Sequence, residues 1–365
     1  MSNREFRIVI VGGGIAGLSA AVALRAENRD IKVLEKSAQL KEIGAGISLQ
    51  PNASKQDLQD ILKEAAIDPK RPGRPVSILT SKNVCYCNTA EGIVTTEDGS
   101  IFEADLVIGA DGIKSRIREF ICGDKIDAMP TGISAYRFLI PMEKIEAETE
   151  FTRHINPRDE FTTMVLCHDR RLVMGPIRHG ESFSVVALVP DEKMHEDSSH
   201  TNWTSSGSIT SFLDSFSVLP TWLLKPFQNI TSLGLWQLRD LDPLDTWFKD
   251  HAIVIGDAAH AMLPTQGQGA SQAVEDAEAL AAFFEDIESR PSAEDVQARL
   301  AKVFEARYER ATLIQKYSRQ QGKPATEKNS IEIQMKPEEF AEFNYSYQGA
   351  KQWLENAQLK RMRSD

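Results

Sequence analysis

Gly12, Gly14 and Gly17 stand just after an apolar run at 8–11, and a second apolar run at 31–34 stops at Glu35. This spacing suits a dinucleotide, provided it sits in a strand–turn–helix–strand unit. Gly12 permits a tight turn, Gly14 lets a pyrophosphate approach the backbone, and Gly17 lets helix and strand pack closely. The small-residue helix at 16–25 would turn unpaired N–H groups and a partial positive charge toward the phosphates. Glu35, with two acceptor oxygens, is placed to take both hydroxyls of an adenosine ribose.

Other candidates follow along the chain. The apolar strand at 104–110 ends in Asp111-Gly112, and Ser115 and Arg116 open a helix. An acid at the carboxyl end of a parallel strand sits where such sheets bind ligands, or it caps the next helix. A further strand at 252–255 ends in Gly256-Asp257, where the acid could accept a hydrogen bond from a ribityl hydroxyl. Gly267-Gln268-Gly269 then starts a long helix at 270–288, whose dipole can favour negative charge on a nearby ring. That helix carries Asp276 and Glu278, read as lying toward solvent. His260 is either a proton shuttle or a packed turn residue. Gly44 and Gly46 mark a loop that either lies on the surface or passes close to a flat ligand.

The positioning elements are those of an α/β chain. An amphipathic helix at 56–66 presents Leu58, Ile61, Leu62 and Ala65 on one face. Short strands at 76–79, 84–88, 93–96 and 101–102 read as an antiparallel meander, with Asp98-Gly99 as a hairpin turn. From 131 to about 245 apolar alternation dominates, which predicts a mostly antiparallel sheet with one covered face. Trp203, Trp222, Trp236 and Trp247 fall here and read as core aromatics or as walls for a flat substrate. A helix at 296–320 carries a basic run read as a solvated face, and a charged tail after Lys323 is read as weakly ordered, with helix from 337 to 360.

The 365 residues leave ample room for a core, and the net charge of −11 argues against nucleic acid or an anionic membrane as partner. The four cysteines are scattered, and Cys85-x-Cys87 has the wrong spacing for zinc or a redox pair. No metal is expected. The absence of a long uncharged apolar stretch leads us to expect a cytoplasmic protein, as a monomer or homodimer.

Three stretches stand in order: VGGGIAGL at 11–18, GADGIKSRIR at 109–118 and GDAAHAMLPTQGQGASQAVEDA at 256–277. Together they resemble the class A flavoprotein monooxygenases, and most closely the salicylate-hydroxylase-like group. The resemblance covers about residues 5–320, and NYSYQGAKQWL at 344–354 is similar to the end of fungal members. It implies a Rossmann-like FAD-binding domain with an inserted, mostly antiparallel β-sheet substrate domain and C-terminal helices. The implied parts are 1–130 (with the meander at 76–103), 131–245, 246–325 and a tail at 326–365. Gly12, Gly14, Gly17 and Glu35 would hold the ADP half of FAD, and Ala45 and Gly46 would lie near the flavin. Asp111 would sit near the pyrophosphate and the nicotinamide cofactor. Asp257 would bind ribitol, while Gly269 and Ala270 would touch the isoalloxazine. Arg137 aligns with an arginine that some members use to anchor a phenolate. The implied activity is hydroxylation of a phenolic or polyketide-like aromatic with NAD(P)H and O₂. The same fold also serves epoxidation and dehydrogenation. One departure bears on activity. Family members carry a longer segment between Ser54 and the helix, including an arginine whose place Lys55 takes here. That shortening would remove part of the wall around flavin and substrate, which leaves open a flavin-binding relative without turnover.

Overall fold

The computed structural model describes residues 5–39, 55–194, 204–323 and 333–364. The first stretch builds β1 (Phe6–Val11), α1 (Ile15–Ala23) and β2 (Arg29–Leu34), followed by α2 (Lys55–Ile67) and β3 (Ser77–Leu79). Next come β4 (Val84–Asn88), β5 (Ile93–Thr96), β6 (Ile101–Glu103), β7 (Leu106–Gly109) and α3 (Arg116–Cys122). β1 lies between β2 and β7 and is parallel to both, with Ile8 opposite Ile31 and Leu106. Such a strand is covered on both faces, which is why it reads as a continuous apolar run. β4, β5 and β6 form the expected meander, but the strand at 77–79 does not join it. It pairs parallel with β2 as an edge of the main sheet, because Val33 and Leu34 offer it an open apolar partner. The face of α2 also differs from its sequence pattern. Gln59, Ala65 and Ala66 are buried whereas Ile61 is 57% exposed, because Gln59 donates to the carbonyl of Gly13 and so turns the helix onto α1.

The middle stretch runs β8 (Met129–Pro141), α4 (Met142–Glu146), α5 (Thr149–Thr152), β9 (Thr163–Leu166), β10 (Arg171–Ile177) and β11 (Ser182–Pro190). β12 (Thr204–Ser206), α6 (Ile209–Ser215), α7 (Thr221–Leu224) and β13 (Gly234–Asp240) complete it. The six strands form one antiparallel sheet in the order β12-β13-β8-β11-β10-β9. Strand alternation sends Tyr136, Phe138 and Ile140 to one face, where they pack with Phe212, Phe216 and Phe227. The other face carries Ile133, Ala135, Val186 and Leu188, on which Leu263 rests.

The chain then returns to the parallel sheet through β14 (Phe248–Lys249) and β15 (Ala252–Val254), the latter parallel to β7. After α8 (Asp257–His260) come α9 (Gly269–Phe284), α10 (Ala293–Gly322), α11 (Pro337–Tyr345) and α12 (Ala350–Ser364). α10 spans both sheets: Thr265 donates to the carbonyl of Ser318 at 2.6 Å, and Arg319 pairs with Asp240 at 2.6 Å. Three expectations are corrected in this region. Trp247 belongs to the core of the parallel sheet, where it meets His260 and Phe304. Arg307 and Arg310 of the basic run are fully buried rather than solvated, because Glu275 and Asp276 of α9 compensate their charge. The described tail forms packed helices, with Phe340, Ala350 and Leu354 buried.

Candidate functional site

The parallel strands end on one edge, and the predicted residues converge there. Gly12–Gly14 follow β1, Glu35 follows β2, Asp111 follows β7 and Gly256-Asp257 follow β15. Strand order reverses on either side of β1, and such a switch point is where an open α/β sheet forms its crevice. The three motif glycines have different physical reasons. A Cβ on Gly12, whose φ is +106°, would lie 2.3 Å from the carbonyl oxygen of Ala110. One on Gly17 would lie 2.0 Å from the carbonyl oxygen of Gly12. Around Gly14, by contrast, an added Cβ meets nothing within 4 Å. Gly12 and Gly17 therefore serve packing, and Gly14 keeps open the space in front of α1. No side chain caps that helix, so its first N–H groups remain available to an anion.

Glu35 closes one side of this turn. It accepts hydrogen bonds from the N–H groups of Gly13 and Ser37, both at 2.8 Å, and a carboxylate retains further lone pairs for a ribose. The next peptide along is held by Gln59, whose amide donates to the carbonyl of Gly13 at 2.8 Å. Asp111 turns back onto the start of α3, whose N-cap is Ser115. It accepts from Ser115 Oγ at 2.5 Å and from the N–H of Arg116 at 2.7 Å. Burial raises its pKa, and these bonds offset part of the rise.

Asp257 is exposed, and Gly269 lies beside it: a Cβ there would be 3.9 Å from its carboxylate. Ala270 is buried in the first turn of α9. Ala45 and Gly46 lie outside the described residues, as does Trp203. Arg118 was legible only as part of a helix start, yet it is fully buried and ties this edge together. Its guanidinium donates to the carbonyls of Ala258 at 3.0 Å and Ile113 at 2.8 Å, joining the loops after β15 and β7. Asp276 is buried, not solvent-facing as expected. It accepts from the N–H of Gly256 at 2.9 Å and pairs with His260 Nε2 at 2.7 Å. His260 is accordingly a packed residue at the end of α8. Burial alone would raise the pKa of Asp276, but His260 and Arg307 hold it at about 2.

The second sheet supplies a different surface. Arg137 shares a face with Ala135 and Ile133 by strand alternation, the face on which Leu263 rests. Its guanidinium lies over the Trp236 ring at 5.3 Å. Gly234, opposite Arg137 on β13, makes the stack possible, since a Cβ there would lie 2.2 Å from the indole. Burial lowers the pKa of Arg137. The arrangement is a flat ring carrying a half-buried cation, on the sheet face nearest the Leu263–Gly269 segment. No sequence signal paired Trp236 with Arg137. Among the described residues, no cluster of His, Cys, Asp or Glu could hold a metal ion, and no helix is long and apolar enough to cross a membrane.

The glycine turn, the uncapped helix start and the acid beside it fit a dinucleotide. Comparison with known proteins agrees. A family model described as "FAD binding domain" matches residues 88–288, and one described as "NAD(P)-binding Rossmann-like domain" matches residues 10–40. An FAD-dependent monooxygenase of Aspergillus candidus is 30% identical over 372 aligned positions, covering 86% of this chain and 85% of the relative. The 6-methylsalicylate 1-monooxygenase of Aspergillus terreus is 27% identical, over 78% of this chain and 76% of its own. Among solved structures, a salicylate hydroxylase in complex with substrate superimposes with a TM-score of 0.70 at 26% identity, covering 87% of this chain and 88% of the other.

Proposed function

The chain belongs to the FAD-dependent monooxygenases, and from that premise we propose that it hydroxylates a flat phenolic compound held against the Arg137 face of the antiparallel sheet. FAD is its cofactor and NAD(P)H its co-substrate. FAD held there would supply the chemistry by which NAD(P)H and O₂ add one oxygen atom to an electron-rich ring carbon, the other oxygen leaving as water.

The observation that carries the substrate class is the Arg137–Trp236 stack. A guanidinium held against an indole presents a fixed cation to a phenolate oxygen, and a phenolate ring is more nucleophilic than a phenol. The apolar neighbours Ile133, Val186 and Leu188 would exclude water from the ring. Two of the compared proteins are named for salicylate-type compounds, which pair a phenol oxygen with a carboxylate. In this reading Gly14, the α1 N-terminus and Glu35 hold the ADP half of FAD. Asp257 accepts from the ribityl chain, Gly269 and Ala270 border the flavin ring, and Asp111 keeps the neighbouring loop in place.

The test is NAD(P)H oxidation by the flavin-loaded protein across a panel of neutral and acidic phenols. We expect acidic phenols to stimulate oxidation and to emerge with one added hydroxyl. Oxidation indifferent to every phenol would refute the substrate class. A second reading, flavin binding without turnover, rests on chain length. The 372 aligned positions exceed the 365 residues of this chain, so the relative carries residues that are missing here. A stable yellow protein that consumes neither NAD(P)H nor O₂ would favour it.

A further inference from the structure

α11 and α12, joined into a hairpin by the rings of Phe343 and Tyr347 against Trp353 at 5.7 and 6.3 Å, reach the Gly256-Asp257 turn through a continuous series of buried and part-buried contacts. At its outer end, Arg310 is enclosed by the rings of Tyr347, Phe343 and Trp353, at 4.5, 4.8 and 5.5 Å. It also donates to the carbonyls of Phe343 at 3.0 Å and Asn344 at 3.3 Å, which fixes the end of α11. The same guanidinium grips Glu275 of α9 with bonds of 2.7 and 2.8 Å. Arg307, one turn earlier, donates to Glu275 at 2.5 Å and to Asp276 at 3.0 Å. Asp276 in turn holds the N–H of Gly256, the residue before Asp257.

A second tie runs alongside. Tyr347 donates its hydroxyl to Glu278 at 3.0 Å, and the N–H of Ala350 donates to the same carboxylate at 3.0 Å. Glu278 thus caps α12 from a neighbouring helix. The chain turns there at Gly349, whose φ is +101° and whose Cβ position lies 3.0 Å from that carboxylate. A side chain at this position would be strained and would crowd the cap.

We propose that the hairpin at 337–364 is a positioning element of the flavin site, setting the Gly256-Asp257 turn through Arg310, Glu275, Arg307 and Asp276. The physical reason is compensation. Arg307, Arg310 and Asp276 are fully buried, so their charges are tolerated only while each keeps its partners in place. Gly256 admits no side chain, since its φ is +59° and a Cβ there would lie 2.8 Å from Ala16 of α1, so nothing but its backbone can hold the turn. The backbone bond from Asp276 therefore fixes both the turn and its distance from the dinucleotide helix. This accounts for Tyr347, Gly349 and Trp353 of NYSYQGAKQWL by their contacts.

The inference rests on the reading that Asp257 holds the flavin half of FAD, and the test separates the two. Apoprotein is titrated with FAD, FMN and ADP, following flavin fluorescence for the first two and heat for ADP, with the thermal midpoint of each variant recorded. Arg310→Lys keeps the charge and loses the fork. Tyr347→Phe keeps the ring and loses the bond to Glu278. For Arg310→Lys we expect the dissociation constants of FAD and FMN to rise about tenfold, with ADP changed by less than about twofold. Tyr347→Phe should move them in the same direction by about threefold, and it decides alone if the first variant does not fold. Equal weakening of all three ligands, or no change in any, overturns the inference. Asp257→Ala is the control: if it leaves FMN binding unchanged, the Asp257 reading fails whatever the hairpin variants show. If it weakens FMN while both hairpin variants bind normally, the hairpin inference alone fails.

Discussion

The edge of the parallel sheet and the Arg137 face of the antiparallel sheet are built from different parts of the chain. The first is made mostly of backbone: a glycine turn, a helix start and three loop peptides held by Glu35, Gln59 and Asp276. The second is made of side chains brought together by register, with Arg137, Trp236 and Gly234 drawn from two strands about one hundred residues apart. A backbone site tolerates little change in shape, whereas a side-chain site can be retuned for a new substrate without disturbing the fold. On the proposed reading, cofactor and substrate specificity are physically separable in this molecule.

Substitutions can break or sharpen that separation. The largest effect should come from Gly17→Val, which forces a side chain into the carbonyl of Gly12. We expect a loss of about 3 kcal/mol or more of stability, read by denaturant unfolding. Gly14→Val should behave oppositely, since the position is open. The apoprotein should unfold at an unchanged temperature while FAD affinity falls about 100-fold in an equilibrium titration. If Gly14→Val unfolds like Gly17→Val, the distinction between the two glycines is wrong.

On the other sheet, Arg137→Ala should lower kcat/KM for a phenol about 100-fold and leave the FAD dissociation constant within about twofold. Equal loss of both would make Arg137 structural and the two sites inseparable. Trp236→Leu should have a smaller effect, about fivefold in KM, because a cation–ring contact contributes about 1 kcal/mol.

The smallest effect concerns pH. Asp276 has a carboxylate pKa of about 2, below the ordinary unfolded value, through His260 and Arg307. A depressed acid contributes stability that is fully present above about pH 4 and is lost as pH falls toward about 2. Asp276→Asn should flatten that part of the acid-unfolding profile, and an unaltered profile would remove Asp276 from the account.

The two regions were also unequally legible in the sequence. The glycine turn and Glu35 are local, and strand, turn and helix follow one another within thirty residues, so spacing carries the whole signal. That 104–110 forms a central parallel strand could be read from its continuous apolar run, whereas the order of β7, β1 and β2 in the sheet could not. The strand at 77–79 was misplaced because its three residues suit either sheet, and only the open edge of β2 decides. Arg307 and Arg310 looked solvated because charge on a helix usually is, and their partners lie about thirty residues away on α9. The Arg137–Trp236 stack was invisible because it depends on β8–β13 register across a long insertion. Long-range compensation and register leave no periodic trace; local turn chemistry does.

The central claim is that a backbone-built flavin edge serves a side-chain-built hydroxylation face. It is tested most directly by incubating the flavin-loaded protein with NAD(P)H, an acidic phenol and ¹⁸O₂, and weighing the product. The account predicts a product carrying a single oxygen atom derived from ¹⁸O₂, at a rate that collapses in Arg137→Ala while the variant stays yellow. A product without ¹⁸O, or an Arg137→Ala variant that hydroxylates at the unmodified rate, would contradict it.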